Sequence, residues 1–127
     1  MIVVDAAAAV LGLLNDGEAR RRLAIEDLHA PHLIDSEVTH AMRAQVLRGR
    51  LVPEEAWRAL DRWQRLGLRR YGVVGLLARM WDLRDNLSAY DAGYVALAEG
   101  LGYPLMTADA RLADAPGPEC DIVTVTS

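Results

Sequence analysis

At 127 residues with 52% hydrophobic side chains, the chain has the length of one domain and too much apolar content to remain disordered. It contains no apolar run of the roughly 20 residues that a membrane span needs, and its single Cys120 excludes an internal disulfide, which fits a reducing cytoplasm. A net charge of −4 argues mildly against bulk electrostatic capture of nucleic acid, and the absence of Lys (all 14 cations are Arg) excludes P-loop NTPases and any site with an essential lysine.

Met1-Ile-Val-Val-Asp5 reads as a short buried strand closed by an acid. It is not a signal peptide, because no basic region precedes it and Asp5 interrupts the apolar stretch. Ala6 to Asn15 is expected to be helical, with Val10, Leu11 and Leu14 on one face and Gly17 as a stop. Glu18 to Asp27 is a second, charged helix whose Arg20-Arg21-Arg22 run suits a solvated face. Leu28-His29-Ala30 is a weak strand, and Pro31 suits the first position of a helix running to Gly49. Val52 to Leu66 completes a helical hairpin, with Trp57, Leu60 and Trp63 placed on one face. Leu68 to Tyr71 forms a short strand and Val73 to Arg84 a helix. The helix that opens at Ser88-Ala-Tyr-Asp91 turns at Gly100 to Pro104 into the strand Pro104 to Thr107, which leads to Asp109. A short helix to Asp114, a Pro-Gly-Pro turn and a strand Ile122 to Val125 end the chain. Strands alternating with helices predict an α/β domain over residues 1–127 with a mostly parallel sheet of four to five strands.

Open parallel sheets bind ligands beyond the carboxyl ends of their strands. Asp5 and Asp109 stand at or just past such ends. Asp5 also fits an N-cap, and so does Asp109. Glu37 shares a helix face with Leu33, Ile34, Ala41 and Ala44, where a carboxylate is costly without a partner. An ion pair with an Arg would also explain it. Asp35 points about 200° away and is the weaker candidate. Asp91 completes an S-x-x-D capping box from Ser88, and the helix dipole favours an acid there in either role. Asp114 is a fifth acid of lower standing. His29, His32 and His40 cluster near one helix start with no evident link to the acids and suit structural or surface roles.

MIVVDA at the start, Ser36-Glu37-Val38, LSAYDAGYVALAE and PLMTADARLA together resemble the PIN-domain ribonucleases, and within them the VapC toxins of bacterial toxin–antitoxin pairs. The resemblance covers nearly the whole chain and implies a three-layer α/β/α fold with a twisted central sheet. It carries an acidic metal site over to Asp5, Glu37, Asp91 and Asp109, with Thr107 as a supporting hydroxyl. Ala7 departs from the Ser or Thr that this family often has soon after the first acid.

An all-carboxylate set selects hard cations, Mg²⁺ or Mn²⁺. Such an ion removes the repulsion among the acids and activates water against a phosphodiester. The expected activity is thus Mg²⁺-dependent endoribonuclease cleavage that leaves 5′-phosphate and 3′-hydroxyl ends, with a metal-bound water as nucleophile. The alternative is a catalytically silent PIN-like module that binds RNA or protein. A haloacid-dehalogenase-like phosphatase would need D-x-D, and Asp5 is followed by Ala6-Ala7. The resemblance implies a structured RNA substrate of the tRNA or rRNA class, a small antitoxin and no membrane partner. A homodimer is expected, with Val10, Leu11, Leu14, Trp57, Leu60 and Trp63 as the candidate antitoxin-binding residues.

Overall fold

The computed structural model describes residues 1–127. Strand β1 (Ile2–Val4) leads through α1 (Ala6–Leu14) and α2 (Glu18–Ile25) to β2 (Leu28–Pro31). Helices α3 (Ile34–Leu47) and α4 (Pro53–Arg65) connect β2 to β3 (Arg69–Tyr71). A single 3-10 turn (Val74–Leu76), α5 (Leu77–Asp82) and α6 (Ala89–Leu101) then lead to β4 (Leu105–Thr107), and α7 (Ala110–Asp114) precedes β5 (Ile122–Thr124). The strands make one sheet in the order β3-β2-β1-β4-β5, every neighbouring pair parallel. Helix α1 packs with α2, α3 and α4 in one layer, and α5 with α6 in the other, where α6 lies against β1 and β2. The fold is the three-layer α/β/α arrangement. No helix is long and apolar enough to cross a membrane.

Every residue of β1, β2 and β4 is buried, as expected for parallel strands covered on both faces. Helix α6 explains how the second layer comes close. Its run Ala92 to Ala98 is buried throughout and is mostly Ala, Gly and Val, so little side-chain bulk separates it from the sheet. Gly102 closes it at φ 71°, a left-handed conformation that suits glycine.

The strand order reverses between β1 and β4. Strands β1, β2 and β3 step one way across the sheet, whereas β4 returns to the other side of β1. Right-handed crossovers require the helices of those two halves to lie on opposite faces. A crevice therefore opens beyond the carboxyl ends of β1 and β4. Val4 pairs with Met106, so Asp5 and Thr107 leave the sheet side by side.

Three local expectations change. Pro31 is the last residue of β2 rather than the first of a helix; its fixed φ suits a strand end, and α3 starts at Ile34 after an uncapped Leu33. The segment from Val73 to Arg84 is broken into a 3-10 turn and a short α5, with Gly75 weakening the helix at the break. Trp63 does not share a face with Trp57. Six residues separate them, about 240° around a helix, and Trp63 is 3% exposed in the core while Trp57 is 59% exposed.

Candidate active site

Asp5 is 5% exposed, and both its carboxylate oxygens are engaged. Oδ1 accepts the Ala8 amide at 2.9 Å, which makes Asp5 the N-cap of α1. Oδ2 accepts the hydroxyl of Thr107, which is fully buried. Thr107 Oγ1 accepts in turn the Asp109 amide at 3.0 Å. One hydroxyl thus ties the end of β1 to the end of β4 and fixes the backbone that carries Asp109. Burial, then the charges of Asp91 and Asp109, push the Asp5 carboxyl up to about 6, against the bonds from Thr107 and Ala8 that lower it.

Asp91 and Asp109 line one cleft with Ser88 and Arg111. Ser88 Oγ accepts the Asp91 amide at 3.2 Å and caps α6. The half-buried Asp91 carboxyl is raised by burial and by the neighbouring charge of Asp109. Asp109 caps α7 through the Arg111 amide at 3.0 Å. The Arg111 guanidinium also reaches its two oxygens at 3.2 Å each and holds its carboxyl below the usual range.

Glu37 reaches the same region from α3. The buried stripe of that helix is Ile34, Val38 and Met42, and Glu37 is half-buried beside it. Its partner is Tyr94, whose hydroxyl donates to Oε1 at 2.7 Å, and not the Arg considered above. Tyr94 lies three residues after Asp91, on one face of α6. Burial raises its pKa first, then its bond to Glu37, then the charges of Glu37, Asp5 and Asp91. Tyr94 thus contacts Glu37 directly and lies within range of the charges of Asp5 and Asp91.

The structure gathers all four acids and Thr107 around the β1/β4 crevice. As they stand, no three His, Cys, Asp or Glu side chains are close enough to ligate one ion. Asp5 is engaged by Ala8 and Thr107, Glu37 by Tyr94 and Asp109 by Arg111.

Tyr94 and Arg111 were not anticipated. A tyrosine three residues from a candidate acid on one helix was the available signal for the first. For the second it was an Arg two residues after Asp109.

Other residues take structural places. Asp35 accepts Arg70 Nε at 2.6 Å, Arg70 Nη2 at 2.9 Å and the Trp63 indole at 2.8 Å, a pairing that ties α3 to α4 and β3. Trp63 is thereby unavailable to a partner. Val10, Leu11, Leu14 and Leu60 are half-buried against the core, and Trp57 with Leu60 lines a groove between α3 and α4. His29 is buried with Nδ1 2.7 Å from the Tyr71 hydroxyl, while His32 and His40 are exposed. Asp27 comes to 3.4 Å of His29 Nε2 without hydrogen-bond geometry. Asp114 is exposed on α7.

The family described as "PIN domain" matches residues 2–118. Ribonuclease VapC9 of Mycobacterium tuberculosis is 54% identical over 125 residues, 98% of each chain. Ribonuclease VapC1 of the same organism is 46% identical over 128 residues, 97% of this chain and 96% of the relative. Among solved structures, VapC20 of M. tuberculosis, a "Sarcin-Ricin loop cleaving toxin", superposes with a TM-score of 0.64 at 20% identity, covering 90% of this chain and 94% of that one. VapBC2 from Rickettsia felis, bound to a DNA fragment from its promoter, gives 0.70 at 11% identity over 98% of both chains. At these identities the two structures attest the fold alone.

Proposed function

The chain belongs to the PIN-domain family, in its VapC group, and on that premise we propose that it is a toxin endoribonuclease that cuts RNA with Mg²⁺ or Mn²⁺ at Asp5, Glu37, Asp91 and Asp109. The observation that carries this reading is the Asp5–Thr107–Asp109 chain of hydrogen bonds at the reversal point of the sheet. It sets two acids from opposite ends of the sequence at the crevice where such sheets bind ligands. The donor set fits a hard cation: every ligand offered is carboxylate oxygen, and Asp5 and Asp91 are raised by burial first and then by their neighbouring carboxylates. A divalent cation bound there supplies neutralisation of the phosphate and a nucleophile from water at neutral pH.

The chain's own groups do the positioning. Thr107 orients Asp5 and the Asp109 backbone, and Tyr94 orients Glu37. No His pair is placed for acid–base cleavage through the ribose hydroxyl. The purified protein should therefore leave 5′-phosphate and 3′-hydroxyl ends on RNA in Mg²⁺ and lose activity in chelator. Products ending in 2′,3′-cyclic phosphate would refute this chemistry, and no cleavage at all would favour a silent binding module. The names of the relatives support RNA as substrate.

Arg111 holds Asp109 through an exposed ion pair and must yield it to a cation. Once released, its guanidinium is free to meet substrate phosphate. Calorimetry should show Mn²⁺ binding a few-fold tighter in Arg111→Ala, because an exposed pair of this kind is a weak competitor. Unchanged affinity would mean that Arg111 does not guard the site.

The groove between α3 and α4, with Trp57 and Leu60 on its wall, supports a small antitoxin as partner. VapBC2 is a relative of this fold named as such a pair. Trp57→Ala should weaken inhibition by the antitoxin about tenfold or more, as for a buried aromatic anchor. An unchanged inhibition constant in a folded variant would place the groove elsewhere. A second copy of the chain is supported by the exposed stripe Val74, Leu77 and Trp81, at 82%, 53% and 67% exposure. Sedimentation as a monomer at micromolar concentration would contradict that assembly.

A further inference from the structure

Three of the four tyrosines in the chain, Tyr71, Tyr90 and Tyr94, line one cavity of about 230 Å³ next to the acids. His32, Met80 and Glu37 complete the part of its wall that matters here. Two of the rings are fixed. The Tyr71 hydroxyl is 2.7 Å from His29 Nδ1, and its ring lies 5.7 Å from the His29 ring at 36°. The Tyr94 hydroxyl is held by Glu37. Tyr90 is different: it is 62% exposed on the first turn of α6 and directly precedes Asp91.

Glu37 and Tyr94 belong both to this cavity and to the acid site, so a group that fills the cavity lies beside whatever reacts at the acids. No Arg lines the cavity, so it does not suit a phosphate. Its volume is below the roughly 300–1,000 Å³ of pockets for drug-sized ligands, which suits one planar ring system. Aromatic walls and a polar edge are features with which proteins hold an unstacked base of single-stranded RNA.

We propose that this cavity is a base-binding subsite, resting on the nuclease reading above: it takes one unstacked base of the RNA strand whose phosphate lies at the acids. Tyr71 and Tyr94 are its fixed walls, and Tyr90 turns to cover the base. The subsite sets which phosphate is presented for cleavage, since a base seated there fixes the register of the strand across Asp5, Asp91 and Asp109.

The test uses the Asp5→Asn chain, in which cleavage is expected to be slowed while RNA is still held. Binding is measured by fluorescence anisotropy in Mg²⁺ with short labelled oligoribonucleotides, each carrying one abasic position. One position is expected to weaken binding about tenfold when its base is missing, in line with loss of a single base–aromatic stack. Adding Tyr90→Ala should abolish that positional penalty, so that abasic and intact strands bind alike, and Tyr90→Phe should keep it. The subsite is overturned if Tyr90→Ala binds as its parent does, or weakens every oligonucleotide equally. It is overturned as well if Tyr90→Ala turns a dimer into a monomer in sedimentation while the positional penalty survives, for then a second copy covers this face. Wild-type protein that shows the penalty yet leaves RNA uncut in Mg²⁺ would remove the nuclease reading and keep the subsite.

Discussion

Asp5→Asn should lower RNA cleavage on the order of a thousandfold in saturating Mg²⁺, because it removes the most buried anionic ligand without removing its cap. The Asn carbonyl oxygen still accepts the Ala8 amide, so α1 keeps its N-cap. The same substitution should have the opposite effect on stability in chelator. The Asp5 carboxyl stands at about 6 in the folded protein against an ordinary 3.8. The fold therefore binds that proton more tightly than the unfolded chain does. This contribution is complete below about pH 4, is lost between about pH 4 and 6, and above that range the charged carboxylate is a standing penalty. Two units correspond to roughly 3 kcal/mol. At pH 7.5 without cations, thermal melting should show Asp5→Asn to be the more stable protein, with the difference closing as the pH falls to 4. Wild-type activity in the variant would remove Asp5 from the ligand set. Equal melting at both pH values would show that Asp5 carries no such penalty.

Thr107→Val keeps the shape of a fully buried side chain and deletes its one polar atom. Two partners are then stranded together. Asp5 Oδ2 loses its donor, and the Asp109 amide loses its acceptor. An unsatisfied buried group costs about 1–3 kcal/mol, so a loss of roughly 2 kcal/mol in urea denaturation is expected. The functional effect should be larger in relative terms. Removing a hydrogen bond that orients a metal-binding carboxylate typically costs 10- to 100-fold in metal affinity, and Mn²⁺ titration should show a drop of about that size. Thr107→Ser restores the hydroxyl and should recover most of the affinity, which a defect of core packing alone would not allow. A Val variant that binds Mn²⁺ as tightly as wild type would reduce Thr107 to a core residue.

Much of this arrangement is local and therefore legible in the chain. An apolar strand ending in Asp5, Ser88 three residues before Asp91, and Thr-Ala-Asp after an apolar strand each state where a helix starts or a strand stops. Caps and periodicity act over a few residues, and the structure keeps all three: Asp5, Ser88 and Asp109 are the N-caps of α1, α6 and α7. The errors fall where a local rule had two outcomes. Pro31 suits a strand end as well as a helix start, and Trp63 was placed with Trp57 although helical geometry sets them about 240° apart.

What the sequence determined by itself was the set of elements, their α/β alternation and the positions of the acids at strand ends and in helix turns. Tertiary structure alone decided which of those ends meet. Thr107 bonds to Asp5 across 102 residues and Tyr94 to Glu37 across 57, pairings that exist only because β4 returns to lie beside β1 and α6 crosses behind them. It also decided that Asp35 is occupied by Arg70 and Trp63. The physical reason is one of range. Capping and side-chain period are settled by neighbours a turn away, whereas strand order is settled by which apolar faces bury one another most completely, and that depends on the whole chain at once.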